Sequence, residues 1–214
     1  MKIAVIGATG FVGPHIVQEA LSRGHQVTAI ARNTSKVTPA EHLDIQAGDI
    51  ADTAWLSAVL REQDAVVSAF NPGWGEADLY EKTTAGRHLI MQAVKSSGVK
   101  RLLVVGGAGS LQVAPGVELV DTAEFPAAIK PGALAVRDWR NDLQQHEQGL
   151  QWTYLSPAAF LVEGERTGHF RVGGVDLLMA GEQPASVSVA DLAVAIVDEL
   201  EQSQHIHQQF TVGY

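Results

Sequence analysis

Gly7, Gly10 and Gly13 punctuate the run Gly7-Ala8-Thr9-Gly10-Phe11-Val12-Gly13 near the head of the chain. A short, β-branched apolar stretch, residues 2–6, precedes the run, and from residue 11 to 23 Val12, Ile16, Val17, Ala20 and Leu21 recur at helical spacing. A turn between a strand and a helix leaves backbone N–H groups free at the positive end of the helix dipole, where an anion is stabilised. Gly7 permits the tight turn, Gly10 lets the backbone approach a diphosphate without a Cβ in the way, and Gly13 lets helix and strand pack closely. The spacing points to a dinucleotide whose pyrophosphate rests on the segment Gly7, Thr9, Gly10, Phe11, Val12 and Gly13.

A site that prefers NAD places an Asp or Glu about 20 residues beyond such a turn to hold the ribose hydroxyls. Here the stretch reads Ala29-Ile30-Ala31-Arg32-Asn33, with no acid. The planar donor fork of Arg32 suits a 2′-phosphate, with Lys36 adding positive potential, so NADP(H) is the preferred dinucleotide and NAD(H) a possible one. A solvated arginine at a strand end is the competing reading. Asp49, with Ile50 beside it, follows the third expected strand, where an acid can accept from the adenine amino group; helix capping competes, because Asp52 and Thr53 come next.

Positioning these residues requires alternating strands and helices. Strands are expected at 26–31, 43–47, 65–69, 101–105 and 152–155, and helices at 53–60, 81–97 and 132–146, with a long loop before residue 131. The order implies a doubly wound α/β fold with a parallel sheet, a Rossmann-type architecture, with a small C-terminal extension. In that extension Gly173-Gly174 between two apolar runs predicts a hairpin over 168–179. A short strand at 185–188, a helix over 189–201 capped by Ser188 and a final strand at 209–212 complete it. No repeat or linker interrupts the 214 residues, which read as one domain, 1–214.

Composition narrows the function classes. A net charge of −9 and the lack of any Lys/Arg cluster argue against nucleic acid. The chain has no cysteine, which excludes disulfides, thiolate nucleophiles and Cys-ligated zinc. The opening apolar run is too short for a signal peptide and no window approaches a membrane span, so a cytoplasmic location and no membrane partner are expected. His205-Ile206-His207 lacks the further ligands that a metal site needs, and no metal is expected. The acids Asp198, Glu199 and Glu201 read as a solvated helix end, and Trp139, between Ala135 and Leu143, as packing or the face of a homodimer.

With these residues in hand, the chain resembles the atypical short-chain dehydrogenase/reductase family, and within it the NAD(P)H-flavin reductase group related to biliverdin reductase B and NmrA-like proteins. The resemblance spans nearly the whole chain. It rests on the glycine turn, on Gly106-Gly107-Ala108-Gly109-Ser110 with Val113-Ala114-Pro115-Gly116, on the stretch from Trp152 to Pro157, on Arg166-Thr167-Gly168-His169-Phe170-Arg171, on Ser188-Val189-Ala190-Asp191 and on Phe210-Thr211-Val212-Gly213-Tyr214. It implies that Phe70 and Asn71 pass near the cofactor ribose and that Gly106, Gly107 and Pro157 border the nicotinamide. It also implies hydride transfer to a flavin, as substrate rather than bound cofactor, or to another flat acceptor such as a quinone. The alternative it carries is an NADP(H)-sensing regulatory protein without turnover.

The Tyr-x-x-x-Lys pair of the larger dehydrogenase family is absent, since Tyr80, Tyr154 and Tyr214 have no lysine four residues on. The histidine that biliverdin reductase B carries near the sixth-strand motif is also unmatched, because Ser156-Pro157-Ala158-Ala159-Phe160 holds none. Ketone reduction calls for a positioned acid, whereas a flavin delocalises the arriving charge. Ser110 matches the family serine after the fifth strand and is the candidate catalytic residue, hydrogen-bonding nicotinamide or acceptor; satisfying its own loop is the competing role. Trp74, on the glycine-rich loop after the fourth strand, offers an acceptor a stacking surface or anchors that loop.

Overall fold

Runs such as Ile3-Ala4-Val5-Ile6 and Leu102-Leu103-Val104 are apolar at every position because both faces of their sheet are covered. In the computed structural model, which describes residues 1–214, eight strands form one sheet. They are β1 (Lys2–Ile6), β2 (Gln26–Ala31), β3 (Leu43–Ala47), β4 (Ala65–Ser68), β5 (Arg101–Val105), β6 (Gln151–Pro157), β7 (Arg171–Gly173) and β8 (Gln208–Gly213), in the spatial order β7-β8-β6-β5-β4-β1-β2-β3. All neighbours are parallel except β7, which runs antiparallel to β8. The chain steps outward from β1 to β3 and returns to β4 on the other side of β1, which opens a crevice at the carboxyl ends of β1 and β4.

The helices are α1 (Gly13–Ser22), α2 (Thr53–Leu60), α3 (Leu79–Ser97), α4 (Lys130–His146) and α5 (Val189–Gln202). On one face Ile16, Ala20, Leu192 and Ile196 of α1 and α5 cover Ile3, Val5, Val27, Val67 and Leu103. On the other, Leu56, Ile90, Val94, Trp139 and Leu143 of α2, α3 and α4 cover Ala4, Ile6, Val66, Leu102 and Val104. Alternate residues of each strand thus enter opposite cores. Trp139 is packing within the chain, 4% exposed. No helix is long and apolar enough to cross a membrane.

Three expectations need correcting. The region 168–179 is not one hairpin. Val172 pairs with Val212 across the free edge of β8, and a smaller ribbon joins Met179–Ala180 to Gln183–Pro184 around Gly181. Joining an existing sheet buries more than an isolated two-stranded ribbon can. The loop before α4 is also ordered, with 3₁₀ turns at Ala108–Ser110 and Leu119–Asp121 around a hairpin of Gln112–Ala114 and Val117–Glu118. Finally, of the acids at the end of α5, Glu199 is not solvated, and Asp198 and Glu201 are solvated only in part. Glu199 is 4% exposed and pairs with Arg101 at 2.8 Å, and Asp198 and Glu201 both pair with Arg23. Arg101, itself buried at the start of β5, needs that counter-charge.

Candidate dinucleotide site

The glycine turn has the geometry its spacing implies. Gly7 sits at φ +85°, where a side chain would also meet the Ala69 carbonyl oxygen at 2.6 Å. A Cβ on Gly13 would collide with the Gly7 carbonyl, so α1 starts directly against the end of β1. Gly10 is exposed, and the space on its Cβ side is limited only by the Gly7 oxygen at 3.4 Å. The N–H groups of Thr9, Phe11, Val12 and Gly13 have no protein acceptor. No side chain caps α1, and its first turn carries no acid. By contrast, Asp52 caps α2 and Ser188 caps α5. Free amides, an open dipole end and small residues fit a dinucleotide pyrophosphate.

The part of the edge expected to take the adenosine is formed by the ends of β2 and β3. Arg32 follows β2 directly, is exposed and forms no hydrogen bond or ion pair. It adds the smallest of the influences on Glu76 of the loop 71–78, a carboxylate held below its ordinary range chiefly by the hydrogen bond from Lys82. Asp49 does not cap α2: its Oδ1 accepts from the Ala51 N–H at 2.9 Å, and Asp52 takes the capping role with the Trp55 N–H. Ile50 packs on the core beneath. Phe70 turns its ring toward α3, where Gly86 leaves room for it. Asn71 Oδ1 accepts from the Gly73 N–H at 2.8 Å and shapes the loop that carries Trp74. Trp74 is 55% exposed and lies over Gly132 at the start of α4.

The far end of the crevice is formed by β5 and β6. Gly106 continues the sheet, donating to the Leu155 carbonyl at 2.8 Å, and Gly107 faces open space. Pro157 is buried at the end of β6, with the Ala158 N–H bonded to Val212 O. Ser110 lies below this edge. It is 1% exposed; its Oγ donates to Gly107 O at 2.9 Å and lies 3.0 Å from Ser156 Oγ. That is the loop-satisfying role weighed from sequence. Tyr154 is fully buried directly beneath Gly106, and its hydroxyl donates to Val136 O at 3.1 Å. Burial pushes its phenol well above the ordinary value, so it holds its proton.

The chain matches the NAD(P)H-binding family over residues 7–202. It belongs to that family. Bacillus subtilis (strain 168) YwnB is 43% identical over 220 residues, covering 99% of this chain and 98% of YwnB. Among solved structures, a "putative epimerase" from Bacteroides thetaiotaomicron is 40% identical with a TM-score of 0.93, covering 100% of this chain and 96% of that one. A "putative NADH-flavin reductase" from Streptococcus pneumoniae TIGR4 is 35% identical with a TM-score of 0.86, covering 100% and 99%. Similar folds under two activity names leave the chemistry to be argued from the site.

As an NAD(P)H-binding protein the chain brings Gly7, Gly10, Gly13, the Arg32 end and Gly106-Gly107 to one sheet edge, and holds Ser110 and Tyr154 beneath it. Sequence reasoning missed that Tyr154 shapes the site. The available signal was Gly106, whose small size is explained only by a large side chain below. No cluster of three or more His, Cys, Asp or Glu is arranged to hold a metal. His205 instead stacks on Phe210 at 4.2 Å and lies 2.8 Å from Glu199, and His207 Nε2 lies 2.7 Å from Leu150 O.

Proposed function

We propose that the chain is a cytoplasmic NAD(P)H-dependent reductase that prefers NADPH and delivers hydride to a flavin or another flat acceptor such as a quinone. The observation that carries this reading is that neither hydroxyl beneath Gly106-Gly107 is free to give a proton: Ser110 is buried and committed, and Tyr154 is sealed in and keeps its proton. Bound NAD(P)H supplies a hydride from its nicotinamide ring. The chain's residues bind and orient: the amides of Thr9, Phe11, Val12 and Gly13 take the pyrophosphate, Arg32 the 2′-phosphate, Asp49 and Ile50 border the adenine, and Phe70 and Asn71 the ribose. Gly106, Gly107 and Pro157 leave a flat wall for the nicotinamide. An acceptor that spreads the arriving charge over its rings needs no protein acid at the moment of transfer, only alignment and exclusion of competitors.

The test is anaerobic NADPH oxidation with FMN, FAD, riboflavin and a quinone in turn. Turnover with at least one is expected. Tight NADPH binding with no hydride loss to any of them would replace the reductase by a dinucleotide sensor.

A further inference from the structure

A buried arginine lies behind the nicotinamide wall with no part in the contacts described so far. Arg140, on α4, is 8% exposed, and its guanidinium faces three elements at once. Nη2 donates to Glu118 Oε1 at 2.5 Å and to the neighbouring Asn141 side chain at 2.6 Å, while Nη1 donates to Ser110 O at 2.9 Å and to Gln209 Oε1 at 3.1 Å. Gln209, on β8 and 5% exposed, turns its own Nε2 to the same Ser110 carbonyl at 3.2 Å, to Ser110 Oγ at 3.2 Å and to Ser156 Oγ at 2.9 Å. Two buried side chains from distant parts of the sequence thus grip one backbone oxygen. Ser110 passes the grip on, because its Oγ and its N–H both donate to Gly107 O.

We infer that Arg140 and Gln209 are positioning residues for the nicotinamide end of the site, acting through Ser110 to hold the Gly107 backbone flat. This rests on the reading that NAD(P)H lies along this sheet edge. A buried ion pair adds little net stability over well-packed apolar side chains, and its best-attested use is to fix geometry. Gly107 has no neighbour on its open side and is followed by a turn of only three residues, so its path depends on what anchors that turn from below. Arg140 and Gln209 supply the anchor from α4 and β8.

The experiment compares NADPH with 2′-phospho-ADP-ribose, the same molecule without the nicotinamide, by titration against wild type, Gln209→Leu and Ser156→Ala. Gln209→Leu keeps the volume and removes Gln209's share of the grip, leaving only Arg140 on the Ser110 carbonyl. The expected result is an NADPH Kd raised about tenfold, the scale of one lost buried hydrogen bond, with the Kd for 2′-phospho-ADP-ribose within about twofold of wild type. Ser156→Ala removes one of the three acceptors that share the two Gln209 Nε2 protons and should shift NADPH alone in the same direction, by less. It decides the matter if Gln209→Leu does not fold. Equal losses for both ligands, or none for NADPH, overturn the positioning role. A wild-type protein that binds neither ligand overturns instead the dinucleotide reading on which it rests.

Discussion

A methyl group added at Gly13 and one added at Gly10 ask different questions of the same turn. At Gly13 it would strike the Gly7 carbonyl and the Ala8 backbone, which have no rotamer to yield. Gly13→Ala should therefore cost about 1–3 kcal/mol or more of stability, measured as a shift in urea midpoint. At Gly10 the methyl would meet only the Gly7 oxygen at 3.4 Å. Gly10→Ala should leave stability within about 0.5 kcal/mol while raising the NADPH Kd at least about tenfold. A Gly10 variant that binds normally would remove the pyrophosphate from this turn. Arg32 answers a separate question, because it is exposed and free of partners. Arg32→Ala should weaken NADPH more than NADH by ~1–3 kcal/mol, the scale of a charge-assisted hydrogen bond. Equal losses in paired titrations would take the 2′-phosphate away from Arg32.

At the scale of elements, the alternating βα order was legible because buried parallel strands and amphipathic helices carry distinct periods. Strands β2, β3 and β5 and helix α2 fall where the apolar runs and the Asp52 cap put them. The glycine turn was legible for the same local reason. What escaped the sequence depends on distant partners. Val172 finds β8 about forty residues on, and nothing near Gly173-Gly174 reveals that edge. Glu199 reads as a helix-end acid until Arg101, 98 positions away, is seen to lie against it. Nothing near Ser110 in the sequence reveals that Gln209, 99 positions on, donates to its Oγ. The Glu199 correction can be tested directly. Glu199 accepts from Arg101, Thr153 and the His205 N–H, tying the end of α5 to the starts of β5 and β6. Glu199→Ala leaves a buried guanidinium without its partner and should cost about 3–5 kcal/mol by calorimetry. A loss below about 0.5 kcal/mol, typical of surface substitutions, would restore the solvated helix end.

Across the whole molecule, the segment 163–170 is strapped to the helices of one face by carboxylates. Arg166 donates to both oxygens of Glu19 on α1, at 2.6 and 2.8 Å, and the Thr167 and Gly168 N–H groups both reach Asp191 on α5 at 2.8 Å, where the Tyr214 hydroxyl also donates. The Arg166 hydrogen bond holds the Glu19 carboxyl below its ordinary value. Burial pushes Asp191 upward, but the donors from Thr167, Gly168 and Tyr214 outweigh it and the net shift is down. On the opposite face Glu147 is likewise pushed up by burial and brought lower by Lys95 and the Gly149 and Leu150 amides. Below about pH 5 the unfolded chain takes up protons that these folded carboxylates still refuse, so stability falls with pH there. Their contribution is fully present above that range and disappears as pH drops through the lowered folded values. Below the isoelectric point of 5.3 the growing net positive charge repels itself and adds to this slope, so the share of the strap is read as a difference between variant and wild type. Asp191→Asn should therefore flatten the fall in urea midpoint between about pH 5 and pH 3 while lowering stability at neutral pH, because an amide cannot accept on both sides from the same set of donors. An unchanged slope in that variant would mean that the strap is held by packing rather than by charge.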